Sequence, residues 1–155
     1  MSMGRGGIAG ILSAAGILFV LCVTGFRNRL GAVTYLPVEL SYGSIHMHLT
    51  ALQDTGNTLR DPVTGGQVLV VEAAVAEKLT GLTPAQLRTP VESMGVIPGL
   101  RLIPFRSVGK ESGFLLAMRL QNVKIGNWRG STLVAFAPDG FGKEGAYQAL
   151  TGGTV

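Results

Sequence analysis

Ile45-His46-Met47-His48-Leu49-Thr50-Ala51-Leu52-Gln53-Asp54-Thr55-Gly56-Asn57 is an alternating apolar segment that runs into a turn built around a carboxylate. Ile45, Met47, Leu49 and Ala51 fall on one face, and His46, His48 and Thr50 on the other, which is the period-two pattern of a half-buried strand. Gln53 to Asn57 breaks that pattern with residues suited to a tight turn. Upstream, Val33 to Leu40 reads as a second extended run, joined to the first by the turn residues Tyr42-Gly43-Ser44, so the two predict a hairpin. Pro37 cannot donate to a ladder, and it demotes its run to an edge or interrupted strand.

Downstream the chain keeps this character. Asp61-Pro62 and Thr64-Gly65-Gly66 mark turns, Val68 to Glu72 a short buried strand, and Ala73 to Leu79 a short helix. Thr83-Pro84 reads as an N-cap followed by proline at the first helical position, opening a helix to about Arg88. Leu100–Val108 and Phe114–Leu120 are predicted strands around a polar tip, Gly109 to Gly113. That tip is either a mobile flap or a plain hairpin loop. Val123–Ile125 continues after a turn, Ser131–Ala137 is a central strand, and Gly142 to Leu150 is read as a final helix. Many short strands with a few small helices predict a mainly β, barrel-like domain.

The composition narrows the partners. Of 155 residues, 46% are hydrophobic and 14% charged, which excludes a disordered chain. The net charge is +4, but the basic residues are scattered, so no nucleic-acid stripe forms. The single cysteine, Cys22, excludes an intramolecular disulfide and a cysteine-based zinc site. No charge interrupts Ile8 to Phe26, a run long enough for a membrane-spanning helix. Arg5 precedes it, and Arg27 and Arg29 follow. A signal peptide competes with a retained anchor, but no small-residue cleavage site follows the run. The reading is therefore a transmembrane anchor over residues 1–30 and a domain over 31–155. The charge bias puts that domain in the cytoplasm.

Asp54 is the candidate chemical centre. A lone buried carboxylate is costly, and a second carboxylate sharing its proton is one way to stabilise it. Such a pair serves as general base and general acid toward a water attacking a peptide carbonyl. Gly56 permits the tight turn, the Thr55 hydroxyl can brace it, and Asn57 can donate from the side. Asp-Thr-Gly is equally an ordinary turn sequence. It occurs once, and the other aspartates, Asp61 and Asp139, read as turn formers. A two-carboxylate site therefore requires Asp54 from each of two chains on a twofold axis. His46 and His48 share a strand face without a third ligand nearby, and a solvated face is the simpler reading, so no metal is assigned. Arg101 and Arg106 are candidates for substrate contact or plain surface charges. Trp128 reads as a partly exposed anchor or a dimer contact.

The stretch Ala51 to Pro62 (ALQDTGNTLRDP), followed by Val68 to Glu72 (VLVVE), resembles the sporulation sigma-E factor-processing peptidases. Arg101 to Gly109 (RLIPFRSVG) and Gly113 to Leu116 (GFLL) resemble that family's second signature block. The resemblance implies a membrane-bound aspartic protease with a closed, retropepsin-like β-barrel that works as a homodimer without a cofactor. Asp54 would be catalytic, with Thr55 and Gly56 completing the loop. Asn57, Arg101 and Arg106 are weaker candidates for substrate binding. The implied substrate is the sigma-E precursor, the implied activator a forespore signalling protein, and the implied site the mother-cell membrane with the protease domain cytoplasmic. The family carries several transmembrane helices before this domain, so the chain resembles the last span plus the protease. The rival readings are a membrane-tethered β-barrel binding module without turnover, and an envelope protease with its domain outside the cell.

Overall fold

The computed structural model describes residues 34–54, 59–105, 113–141 and 145–152. Its elements are β1 (Tyr35–Tyr42), β2 (Ile45–Gln53), β3 (Val68–Val71), α1 (Ala73–Thr80), α2 (Pro84–Arg88), α3 (Pro90–Ser93), β4 (Arg101–Phe105), β5 (Gly113–Ile125), β6 (Trp128–Phe136) and β7 (Ala149–Thr151). The strands form one sheet in the order β1-β2-β7-β3-β6-β5-β4, and β1 also pairs with β5. That extra pairing closes six strands into a barrel and leaves β4 hanging from β5. The mainly β, closed-barrel expectation therefore agrees with the structure.

Closure depends on local signals at two hairpins. Tyr42 faces Ile45, and Ile125 faces Trp128, across two-residue loops led by Gly43 and Gly126, both at φ 58. A positive φ at the first loop position matches the sheet twist, and glycine adopts it without a Cβ clash. β1 is uninterrupted along β2, but its pairing with β5 is confined to Val38 and Glu39. Pro37, which has no N–H, lies just outside that pairing, and its carbonyl accepts from the Gly126 amide at 2.8 Å.

β3 and β7 are buried on both faces, and the strands around them contribute buried side chains to two cores. Leu49, Ala51, Leu69, Val71, Leu116, Met118, Val134, Phe136 and Ala149 share one core with α1 and Leu87. The alternate residues Leu52, Val68, Val70, Leu115, Ala117, Leu133, Ala135 and Leu150 share a second core. Phe141, Tyr147, Leu59 and Ile103 complete that second core. Full burial of such side chains contributes about 1.5–3 kcal/mol each relative to exposure. The expected alternation in β2 holds through Leu49 and Ala51. Leu52 is buried too, because its opposite face is covered.

The helices follow their end signals. Thr83 and Gln86 form a reciprocal capping box, with the Gln86 amide donating to Thr83 Oγ1 at 3.2 Å and the Thr83 amide to Gln86 Oε1 at 2.9 Å. Pro84 occupies the first turn, as its sequence position implied.

Two expectations are corrected. The helix expected over Gly142–Leu150 is overturned in its described part, residues 145–150: Ala149–Thr151 is β7, inserted between β2 and β3, and Gly145 at φ 68 is incompatible with a helical run. Ala149 and Leu150, both 0% exposed, enter opposite cores, a period-two burial that only a strand can satisfy. Phe114–Leu120 and Val123–Ile125 are one strand, not two with a turn between. The interruption is a β-bulge between Leu120 and Val123, with Asn122 at φ 56. No helix among the described residues is long and apolar enough to cross a membrane. The expected span at Ile8–Phe26 lies outside the described residues.

Candidate active site

β2 ends one residue before Asp54, and the strands on either side fix that end. β1 lies antiparallel to β2 with Tyr35 facing Leu52, and β7 lies parallel with Thr151 facing Gln53. The Gln53 amide donates to the Thr34 carbonyl at 2.9 Å, and the Asp54 amide donates to the Thr151 carbonyl at 2.7 Å. Asp54 and Thr151 are 0% and 1% exposed. The expected centre is therefore a fully buried carboxyl group whose backbone is tied to β7. Burial of a carboxylate raises the free energy of its charged form unless partners compensate it.

An apolar pocket is formed by the second core. Leu59, which follows Asp54 by a short segment, lines it with Val70, Phe105, Leu115, Phe141 and Leu150. Leu150 is the register partner of both Leu52 and Val70. Phe141 stacks on Tyr147 at 6.1 Å between ring centroids, and Tyr147 in turn meets Tyr35 at 6.3 Å. Phe105 ends β4, and Phe114, 47% exposed, stands near the start of β5.

The residues after Leu59 fold into a small hairpin, closed by the bridge between Arg60 and Gln67. Asp61, expected as a turn former, does more than turn the chain. Its Oδ1 accepts the Val63 amide at 2.9 Å, its own amide donates to the Gly66 carbonyl, and its Oδ2 accepts from Arg119 Nη2. Burial pushes the Asp61 carboxyl upward, but hydrogen bonds from the Val63 amide and from Thr64, with the Arg119 charge, hold it below the usual carboxylate range. Asp61, Thr64, Gln67, Arg119, Thr132 and Thr151 line a cavity of about 260 Å³ together with apolar residues that include Ile125, Trp128 and Leu133. Sequence reasoning missed Arg119. The available signal was a lone charge inside the apolar run Phe114 to Leu120.

The remaining predicted residues divide. Thr55, Gly56, Asn57 and Arg106 lie outside the described residues, as does most of the Gly109–Gly113 tip. Arg101 opens β4 opposite Ala117, and it makes no ion pair with another described residue. His46 and His48 lie on the exposed face in edge-to-face contact at 5.1 Å, with His46 beside Ser41 and Glu39. Trp128 is half-buried, its ring 2.7 Å from where a Cβ on Gly130 would stand. Asp139 pairs with Arg88 at 3.2 Å, and Glu72 accepts the Phe141 amide at 2.9 Å. Burial is the leading cause that raises both carboxyls.

Comparison with known proteins follows the same lines. The family model Peptidase_U4, described as sporulation factor SpoIIGA, matches residues 7–153. The chain is similar to a sporulation sigma-E factor-processing peptidase of Bacillus subtilis (strain 168), 31% identical over 100 residues. That match covers 58% of this chain and 32% of the relative. It is also similar to a putative sporulation sigma factor-processing peptidase of Bacillus thuringiensis subsp. kurstaki, 32% identical over 110 residues. That match covers 64% of this chain and 66% of the relative. The matched segment is thus about a third of one relative and just under two thirds of the other. No solved structure matches the chain at a significant level.

Proposed function

The chain belongs to the Peptidase_U4 family of sporulation factor SpoIIGA, and from that premise we propose that it is an aspartic endopeptidase working as a homodimer with a retropepsin-like domain. Asp54 of each protomer meets its symmetry mate. One carboxyl group is protonated and the other ionised, so the pair activates water as a base and protonates the leaving amine as an acid. Thr55 and Gly56 shape the loop, and Asn57, Arg101 and Arg106 contact the substrate. The reaction draws on no cofactor. The substrate is the sigma-E precursor, in keeping with the name of the Bacillus subtilis relative, while the name of the second specifies only a sporulation sigma factor. A forespore signalling protein switches the enzyme on. Residues 1–30 anchor the chain in the mother-cell membrane, and residues 31–155 act on its cytoplasmic side.

The observation that carries this reading is the family match over residues 7–153, with the Asp-Thr-Gly carboxylate at the end of an apolar strand and its backbone tied to β7.

The test is co-expression with the sigma-E precursor and the activating signal, wild type against Asp54→Asn. The expected result is trimming of the precursor by wild type alone. Trimming by both would remove Asp54 from the centre. Binding by both without trimming would favour a tethered binding module.

A further inference from the structure

Arg119 sits in a strand that otherwise reads Phe-Leu-Leu-Ala-Met before it and Leu after it. A charge there needs a reason. Buried ion pairs at best break even against well-packed apolar side chains, so overall stability does not supply it. The contacts do.

Arg119 Nη2 reaches the carboxylate of Asp61, which is 2% exposed, while Nη1 approaches Ser131 Oγ on β6 at 3.4 Å. The planar guanidinium spans both partners, which an ammonium group does not do in one geometry. Asp61 in turn organises the 61–66 turn through the Val63 amide and the Gly66 carbonyl. That turn closes the hairpin joining Arg60 to Gln67. The Gln67 side chain lies against Gly152 so closely that a Cβ there would stand 2.6 Å from Gln67 Oε1. Gly152 follows Thr151, whose carbonyl holds the Asp54 amide at 2.7 Å. Arg119, Asp61, Gln67 and Thr151 all line the same cavity.

We infer that Arg119 is a positioning residue for Asp54: it fixes Asp61, Asp61 fixes the hairpin, and Gln67 of that hairpin braces the end of β7 that holds the Asp54 backbone. A lysine at this position keeps the charge but loses the fork. The strand end then gains freedom to shift, and the carboxyl group with it. For a reacting group, displacement of this kind lowers turnover more than substrate affinity. The catalytic half of this inference rests on the proposed role of Asp54, whereas the positional half does not.

The experiment separates the two. Hydrogen exchange at the Asp54 amide is measured in the full chain for wild type, Arg119→Lys, Asp61→Asn and the double variant. Leu79→Ala, in α1 and outside the cavity lining, serves as a control for general destabilisation. The expected result is exchange at Asp54 accelerated by about tenfold or more relative to the Val134 amide in either single variant, with the double variant no faster than the faster single. In Leu79→Ala the ratio between the two amides stays unchanged. In the cleavage assay kcat falls about tenfold or more in Arg119→Lys while KM changes little. Equal acceleration at Asp54 and Val134, or additive effects in the double variant, overturns the inference. A selective response at Asp54 in a chain that cleaves nothing upholds the positioning and removes the protease reading instead.

Discussion

Replacing Asp61 by asparagine removes one charge from the buried pair while preserving shape. The amide oxygen still accepts the Val63 N–H, so the turn retains that bond. What is lost is the charge-assisted contact with Arg119. A hydrogen bond to a charged group contributes about 1.5–3 kcal/mol, and breaking a fully buried pair costs about 3–5 kcal/mol. Arg119 is 30% exposed on its side chain, so its stranded charge regains part of its hydration. The loss at neutral pH is therefore about 2–3 kcal/mol, between a simple contact and a dry ion pair. The pH dependence follows from the depressed carboxyl of the folded state. Its contribution is fully present above the unfolded-state value of about 3.9 and disappears as pH falls through the lower folded value. Urea denaturation followed by fluorescence of Trp128, the single tryptophan and a neighbour of this cavity, reads both effects. The two proteins should differ by 2–3 kcal/mol at pH 7 with equal m-values, a magnitude of about that size being set by the lost contact, and converge in strong acid. A difference under about 0.5 kcal/mol at neutral pH, or one independent of pH, would refute the account.

Other substitutions probe the remaining framework. Leu150→Ala empties a fully buried position between β2 and β3. It should cost about 2–5 kcal/mol in chemical denaturation, because the surrounding strands relax only partly. Glu72→Gln keeps an acceptor for the Phe141 amide and removes a carboxyl group raised by burial. Its stability should equal or exceed that of wild type at neutral pH. The difference should vanish below the unfolded-state glutamate value of about 4.3, since there both folded and unfolded wild-type chains are protonated. Denaturation curves across that range decide it.

Much of the framework was legible in local patterns. The Ile45–Gln53 strand announced itself by alternation, the β1–β2 hairpin by the Tyr42-Gly43-Ser44 turn, and α2 by the Thr83-Pro84 pair. β7 was not legible, because three residues carry too little periodicity to compete with the helix-like run before them. Its identity comes from neighbours distant in sequence, which bury Ala149 on one side and Leu150 on the other. The bulge in β5 was mistaken for a turn for a related reason: Gln121 and Asn122 look like turn residues until β6 holds the strand on both sides of them.

The same division runs through the candidate site. The amino-acid order alone marked Asp54, the apolar strand that delivers it, the glycine that lets the chain turn, and the uncharged run from Ile8 to Phe26. Each is a short-range pattern of residue type and spacing. The folded structure decided that Asp54 is enclosed, that β7 rather than the hairpin holds its backbone, and that Asp61 belongs to Arg119 instead of to solvent. Those outcomes depend on pairings between residues far apart in the chain. No local sequence carries a signature for them, because their free energy exists only once the barrel is closed.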